Sequence, residues 1–312
     1  MKYIEFLGME RKWKLTEIYL SHGSLYEHQL LPFFNIAARC GFDGVEIIVG
    51  RNREMSDISH MKYLANKYGV PVRVLHCPFS SWNSEYWPKT TPQKLMRTVE
   101  MAHEIGAKVV VAHTALAHET EYKAWLTDEL ENFQKLNEPV KIGIENMPRR
   151  YVMFGGIGRK IYNFKKLAFK FRRSLTYDIA MHTNKMNFLR PIEVDDIDNS
   201  LNHIEKLNKF KYLTIDTTHL GTWGCEPADY LDMISREIVH VHLSNYKMGR
   251  EHRLPLDGHM DIEKFLKKLA ARGYSHAITM ETDPRSLTDH RSFDETCREF
   301  KENLEFLRKN LA

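Results

Sequence analysis

The sequence predicts an α/β fold closed into a (β/α)8 barrel, the TIM architecture, as one domain over residues 1–312. Three observations predict it. Eight apolar, β-branched stretches alternate with helix-like stretches, which is the pattern of a parallel sheet covered by helices. Six of the strands end on a potential metal ligand: His76 in RVLHC, His113 in VVVAH, Glu145 in VKIGIE, Asp216 in LTID, His242 in VHVH and Glu281 in ITME. The chain has 312 residues, 43% of them apolar and 28% charged, a size that a single barrel routinely reaches. A doubly wound open sheet would also explain the alternation. Only closure, however, brings the ends of the third and eighth strands together.

Each element has its local reason. Lys14 to Ser21 reads as the first strand, and Leu25 to Cys40 as a helix stopped by Gly41. Gly44 to Val49 is the second strand, followed by a helix that ends near Gly69 with Pro71 behind it. After the strand carrying His76, Thr91 and Pro92 supply an N-cap and a first-turn proline. That helix has apolar positions Leu95, Val99, Ala102 and Ile105 and closes at Gly106; the fourth strand, Lys108 to His113, starts two residues later. A helix from Glu119 to Leu136 leads to the fifth strand, which begins at Val140. The sixth strand runs from Tyr212 to Thr217, a short helix from Pro227 to Arg236, and the seventh strand from Ile238 to Ser244. Asp261 caps a helix with apolar Ile262, Phe265, Leu266 and Leu269, and Ala277 to Thr282 is the eighth strand. The last helix opens with a capping box, Ser292 to Glu295, and keeps an apolar stripe from Phe293 to Leu311.

Composition excludes several classes. Net charge is only +4, and no stretch approaches the ~18 apolar residues of a membrane span. The N-terminus has charges within its apolar patch and lacks a signal-peptide core. Cys40, Cys77, Cys225 and Cys297 form no paired spacing, so a disulfide framework and a cysteine zinc knuckle are both unsupported. A cytoplasmic protein with no membrane partner is expected.

One segment, 149–196, breaks the rhythm as a long insertion between the fifth and sixth strands. From Arg149 to Arg190 it holds eleven basic residues against one acidic residue, Asp178. A helix from Ile197 to Leu207 follows. Arg159, Lys160, Arg172 and Arg173 are the candidates for contact with phosphate or a nucleic-acid backbone. A solvated helical insertion, or a contact between copies in a homo-oligomer, accounts for the same charges equally well.

The strand-end residues define a metal chemistry. Imidazole and carboxylate donors without thiolate suit zinc, manganese or a similar ion. Glu145, Asp216, His242 and Glu281 would make one site; His76 and His113 could hold a second ion that shares Glu145 as a bridge. Any one strand-end histidine is more often a satisfied polar residue than a ligand. Six ligand-type residues at one end of one sheet reverse that balance. Cys77 should point to the opposite face of its strand from His76 and serve as packing.

The ordered series HCPF at His76, GAKVVVAHT through His113, IENMP at Glu145, IDTTH at Asp216, HVHLSN at His242, RLPLDGHMD at Arg253 and METDP at Glu281 resembles the xylose isomerase-like TIM-barrel superfamily. Sugar and sugar-phosphate isomerases and epimerases and endonuclease IV belong to it. The resemblance spans nearly all of the chain except the basic insertion and the N-terminal dozen residues. It implies a divalent metal, manganese or zinc, on Glu145, Asp216, His242 and Glu281, with one ion as the leading expectation and two or three as alternatives. In the epimerase-like branch, Glu145 and Glu281 are the catalytic pair that moves a proton next to a carbonyl. His219, Arg253 and Asn146 are then the substrate contacts, and the partner is a sugar or sugar phosphate.

In the endonuclease IV branch, His76, His113 and His219 join a three-zinc centre that hydrolyses the phosphodiester beside an abasic site. That branch's Asp-x-His motif stands here as Glu251, His252 and Arg253, leaving His252 or His259 as substitutes. The reading led by these residues is a metal-dependent sugar or sugar-phosphate isomerase or epimerase. An abasic-site endonuclease is the alternative, and a non-catalytic metal-bearing binding protein the lesser one.

Overall fold

The computed structural model describes residues 16–80, 82–115, 119–148, 151–152, 192–193 and 203–311. Eight of its strands, all parallel, close into a barrel. In chain order they are β1 (Ile18–Ser21), β2 (Gly44–Ile48), β3 (Val72–His76), β4 (Val109–His113), β5 (Lys141–Glu145), β8 (Tyr212–Asp216), β9 (Glu237–Leu243) and β12 (Ile278–Met280). The remaining strands form two small antiparallel pairs. β6 (Tyr151–Val152) and β7 (Ile192–Glu193) bracket the basic segment; β10 (Asn245–Lys247) and β11 (Arg250–Arg253) make a hairpin after β9. Around the barrel the order is β1-β12-β9-β8-β5-β4-β3-β2, so the predicted (β/α)8 class and strand sequence hold. Arg159, Lys160, Arg172 and Arg173, and the first part of the expected 197–207 helix, lie outside the described residues; Ile204–Leu207 is helical.

Two apolar clusters hold the layers. A small one, Tyr19, Val74, Val109, Val111, Tyr212 and Val239, lies apart from a large one that gathers residues from both strands and helices. The Ile262–Ala271 helix illustrates the large cluster: Asp261 accepts the Lys264 N–H as predicted, and Ile262, Phe265, Leu266 and Leu269 are buried. Each such side chain contributes about 1.5–3 kcal/mol of transfer free energy. Gly106, at φ 81°, ends the Thr91–Ile105 helix in a left-handed turn and lets β4 begin almost at once. No helix among the described residues is long and apolar enough to cross a membrane.

Several boundaries differ from the sequence reading. The first helix is preceded by a 3-10 turn, His22–Leu25, and begins only at Leu30. The N-cap position before β4's helix is Thr90, one residue earlier than expected, with no side-chain capping bond. The helix expected over 119–136 is two pieces, Thr120–Asp128 and Leu130–Leu136, meeting at Glu129. The helix expected over 227–236 is Pro227–Tyr230 followed by a 3-10 turn. A further helix, Thr217–Thr222, follows β8 directly.

Gly143 in β5 is required by close packing inside the barrel. A Cβ there would run into Thr214 Oγ1 and sit 3.0 Å from Val239 Cγ2. Gly143→Ala is therefore expected to cost about 1–3 kcal/mol through overpacking. Urea denaturation of the two proteins checks this, and equal stability would show that the layer has slack.

Candidate metal centre

Strand register brings the donors together. Parallel pairing sets His113 of β4 level with Glu145 of β5, and Asp216 of β8 level with His242 of β9. Thr279 of β12 is level with His242, and Glu281 follows two residues later, on the same face by strand alternation. Its backbone N–H continues the ladder to Leu243 O at 3.2 Å.

Local structure then aims each side chain. Asp216 caps the Thr217–Thr222 helix, its Oδ1 accepting the His219 N–H at 3.0 Å. Oδ2 is left buried without a hydrogen bond. Asn146 bridges the ends of β5 and β8, donating to Asp216 O at 3.1 Å and accepting from Asp216 N at 2.8 Å. Its amide thus holds Asp216 in place, where the β5–β8 ladder has just ended at Glu145–Thr214.

His242 Nδ1 is the point of convergence. It lies 2.8 Å from Glu145 Oε1, 3.0 Å from Glu281 Oε2 and 4.0 Å from Asp216 Oδ2. One donor atom from each of these four residues lies within 4.8 Å of all the others. Asp216 and His242 are 0% exposed and Glu145 1%. Burial pushes the Glu145 carboxyl up, but the charge and hydrogen bond of His242 and the nearby imidazoles of His113 and His76 outweigh it, holding it well below its ordinary value. Burial lowers His242, yet Glu281, Glu46 and Glu145 together raise it well above 6.5. Asp216 is raised, first by burial and then by the crowding of Glu145 and Glu281. Three carboxylates against one imidazole, with an orphaned oxygen on both Glu145 and Asp216, fit a divalent cation.

Glu145 also faces a second group. Its Oε2 lies 3.2 Å from His113 Nε2 and 3.5 Å from His76 Nε2. His76 Nδ1 lies 2.7 Å from Cys77 O and His219 Nδ1 2.7 Å from Asn146 O. A carbonyl only accepts, so both Nδ1 atoms carry hydrogen, and both rings turn Nε2 inward. His219 Nε2 accordingly lies 3.7 Å from Asp216 Oδ2. Cys77 is buried in the outer core, and burial raises its thiol to about 12. The Phe79 ring packs on both His76 and His113, at 5.8 and 4.9 Å between centroids. The buried Lys94 ammonium fixes that loop by donating to the carbonyls of Phe79, Ser80 and Trp82.

The structure adds two residues that the sequence reading passed over, Glu46 and His240. Glu46, inside the apolar strand GVEII, reaches His240 and His242; an ionisable residue in a wholly buried strand was the available signal. His240 is two residues from His242 and so shares its face. His252 joins Asp216 and His219 as a third possible ligand group, whereas His259 packs against Tyr246. The His252 backbone has φ 53°, held by its N–H to Thr218 Oγ1 at 3.0 Å and by Asp283 N–H donating to its carbonyl at 2.7 Å. Arg253 is taken up by Asp257 and by the carbonyls of Arg285 and Ser286.

Because His242 holds a proton above its ordinary range, an ion that takes Nδ1 must expel that proton. Zinc affinity of the metal-free protein is expected to rise with pH, by up to about tenfold per unit for each proton released. Titration at a series of pH values measures this, and a pH-independent affinity would show His242 to be neutral beforehand.

Comparison with known proteins agrees with the barrel fold. An uncharacterized protein of Mycobacterium tuberculosis is 26% identical over 295 residues, covering 94% of this chain and 96% of its own. The solved structure of D-allulose 3-epimerase from Methylomonas sp. in complex with D-allulose is 15% identical, with TM-score 0.56 over 95% of this chain and 98% of its own. That of an AP endonuclease, family 2, from Brucella melitensis is 13% identical, with TM-score 0.57 over 87% and 94%. At such identities the solved structures share the fold. The family model for the xylose isomerase-like TIM barrel matches residues 34–310, and the chain belongs to that family.

Proposed function

We propose that the protein is a divalent-metal-dependent isomerase or epimerase of a sugar or sugar phosphate, moving a proton next to the carbonyl. The observation that carries this reading is the pair Glu145 and Glu281. They come from β5 and from the turn after β12, which are not neighbours in the barrel, yet both reach His242 Nδ1 within 3.0 Å. Glu145, Asp216, His242 and Glu281 would hold the ion, manganese or zinc, which when bound polarises the substrate carbonyl.

The chain's own groups then do the proton work. His242 and its hydrogen bonds keep both glutamates below their ordinary carboxylate range despite burial, so each is ionised and able to act as base. One takes the proton from the carbon beside the carbonyl, leaving its electron pair to delocalise onto the carbonyl oxygen. In epimerisation the other carboxylate, after taking a proton from solvent, delivers it to the same carbon from the opposite side, and the first releases its proton to solvent; in isomerisation the first carboxyl hands its own proton to the neighbouring carbon. His219 turns Nε2 into this space and can accept a substrate hydroxyl's hydrogen. Phe79 shields the pocket beside His76 and His113, limiting water.

A second reading is favoured by one observation: His76, His113, His219 and His252 surround the four-ligand group. Those donors suit two or three zinc ions and hydrolysis of a phosphodiester at an abasic site, and one fold neighbour bears the name AP endonuclease.

Incubation of the manganese-loaded protein with a panel of ketoses, aldoses and their phosphates in D2O separates the two. The expected result is an epimer or isomer carrying deuterium next to the carbonyl, with Glu145→Gln and Glu281→Gln each slowing turnover by about 10²-fold or more. No exchange with any sugar, together with salt-sensitive cleavage of abasic duplex DNA, would replace this reading by the second.

A further inference from the structure

The proposed proton transfer leaves Glu46 unused. It is 0% exposed and reaches across the barrel from β2 to β9, three places away in the closed order. Oε1 and Oε2 lie 2.9 and 3.1 Å from His242 Nε2, and Oε2 is also 3.1 Å from His240 Nε2. Neither oxygen is left without a partner, whereas Glu145 and Asp216 each keep an orphaned oxygen.

An ionised carboxylate only accepts hydrogen bonds, so both imidazole nitrogens that face Glu46 carry hydrogen. His242 is then left with Nδ1 alone to offer, and Nδ1 is the atom that Glu145, Asp216 and Glu281 surround. The contact of both oxygens with Nε2 also resists rotation of the ring. His240 holds the carboxylate from its other side, and the His240 and His242 rings stand perpendicular at 5.2 Å. We infer that Glu46, steadied by His240, is a positioning residue that makes His242 bind the ion through Nδ1. This rests on the metal reading above, and extends it to a residue that touches neither ion nor substrate.

Two measurements on the full chain test it. In the first, metal-free wild type and Glu46→Gln are titrated with zinc against a chromophoric chelator, with thermal melting of both metal-free proteins alongside. The glutamine keeps the shape but not the charge, and zinc affinity is expected to fall by about 10–100-fold. The second needs no variant at position 46. Nitrogen NMR of the histidine-labelled, zinc-loaded wild type is expected to show His242 protonated at Nε2 and metal-bound at Nδ1; the resonance is identified by its loss in His242→Gln. An affinity within twofold of wild type, or zinc found on Nε2, overturns the role of Glu46 while the metal site stands. A wild type that binds no divalent ion removes the metal reading and this inference together.

Discussion

The packing of Glu145, Asp216 and Glu281 around a single imidazole is the constraint on which the rest of the site depends. Burying three carboxylates costs far more than burying apolar side chains unless positive charge is close. His242 supplies part of that charge, and its own raised proton affinity is the other side of the same interaction. Asp216, raised by burial and by its acidic neighbours, shows that the balance is incomplete. A divalent cation would complete it, which ties the electrostatics of the folded chain to the chemistry proposed for it.

Barrel closure makes such a cluster affordable in covalent terms. Each carboxylate sits at the end of its own short strand, so three backbones approach one point without a strained loop. Where the ladder between β5 and β8 ends, the Asn146 amide continues it with two hydrogen bonds to Asp216. The interior beneath is mixed: an apolar group of Tyr19, Val74, Val111 and their neighbours, and a polar one of Glu46, His240 and Thr214. Gly143 leaves the room that Thr214 occupies. A smaller residue there and a larger one opposite is how a barrel layer fills its taper.

The loops above the strands decide which further groups reach the centre. The helix that starts on Asp216 turns His219 inward, because the capping residue and the third helical residue lie close together. The β10–β11 hairpin carries His252 in a left-handed conformation that histidine tolerates better than a β-branched residue. Lys94 ties down the loop bearing Phe79, which walls the site beside His76 and His113. The same hairpin commits Arg253 to Asp257 and to two carbonyls, so its guanidinium is engaged within the protein.

The sequence by itself determined the barrel and the group at its mouth. Strand and helix periods are local, and a ligand-type residue that ends an apolar strand is visible without any tertiary knowledge, as with Glu145 and Asp216. The glycine after a helix and the aspartate before one are equally local, and Gly106 and Asp261 act as their positions indicated. Only the tertiary structure decided the role of Glu46, because its partners lie nearly two hundred residues away and meet it only once the sheet closes. Likewise the family resemblance names Asn146 and Arg253 as substrate contacts, and only the fold shows the internal partners that each also has. A side chain's type is written in the sequence; which hydrogen bonds it has left to offer is settled by what packs beside it.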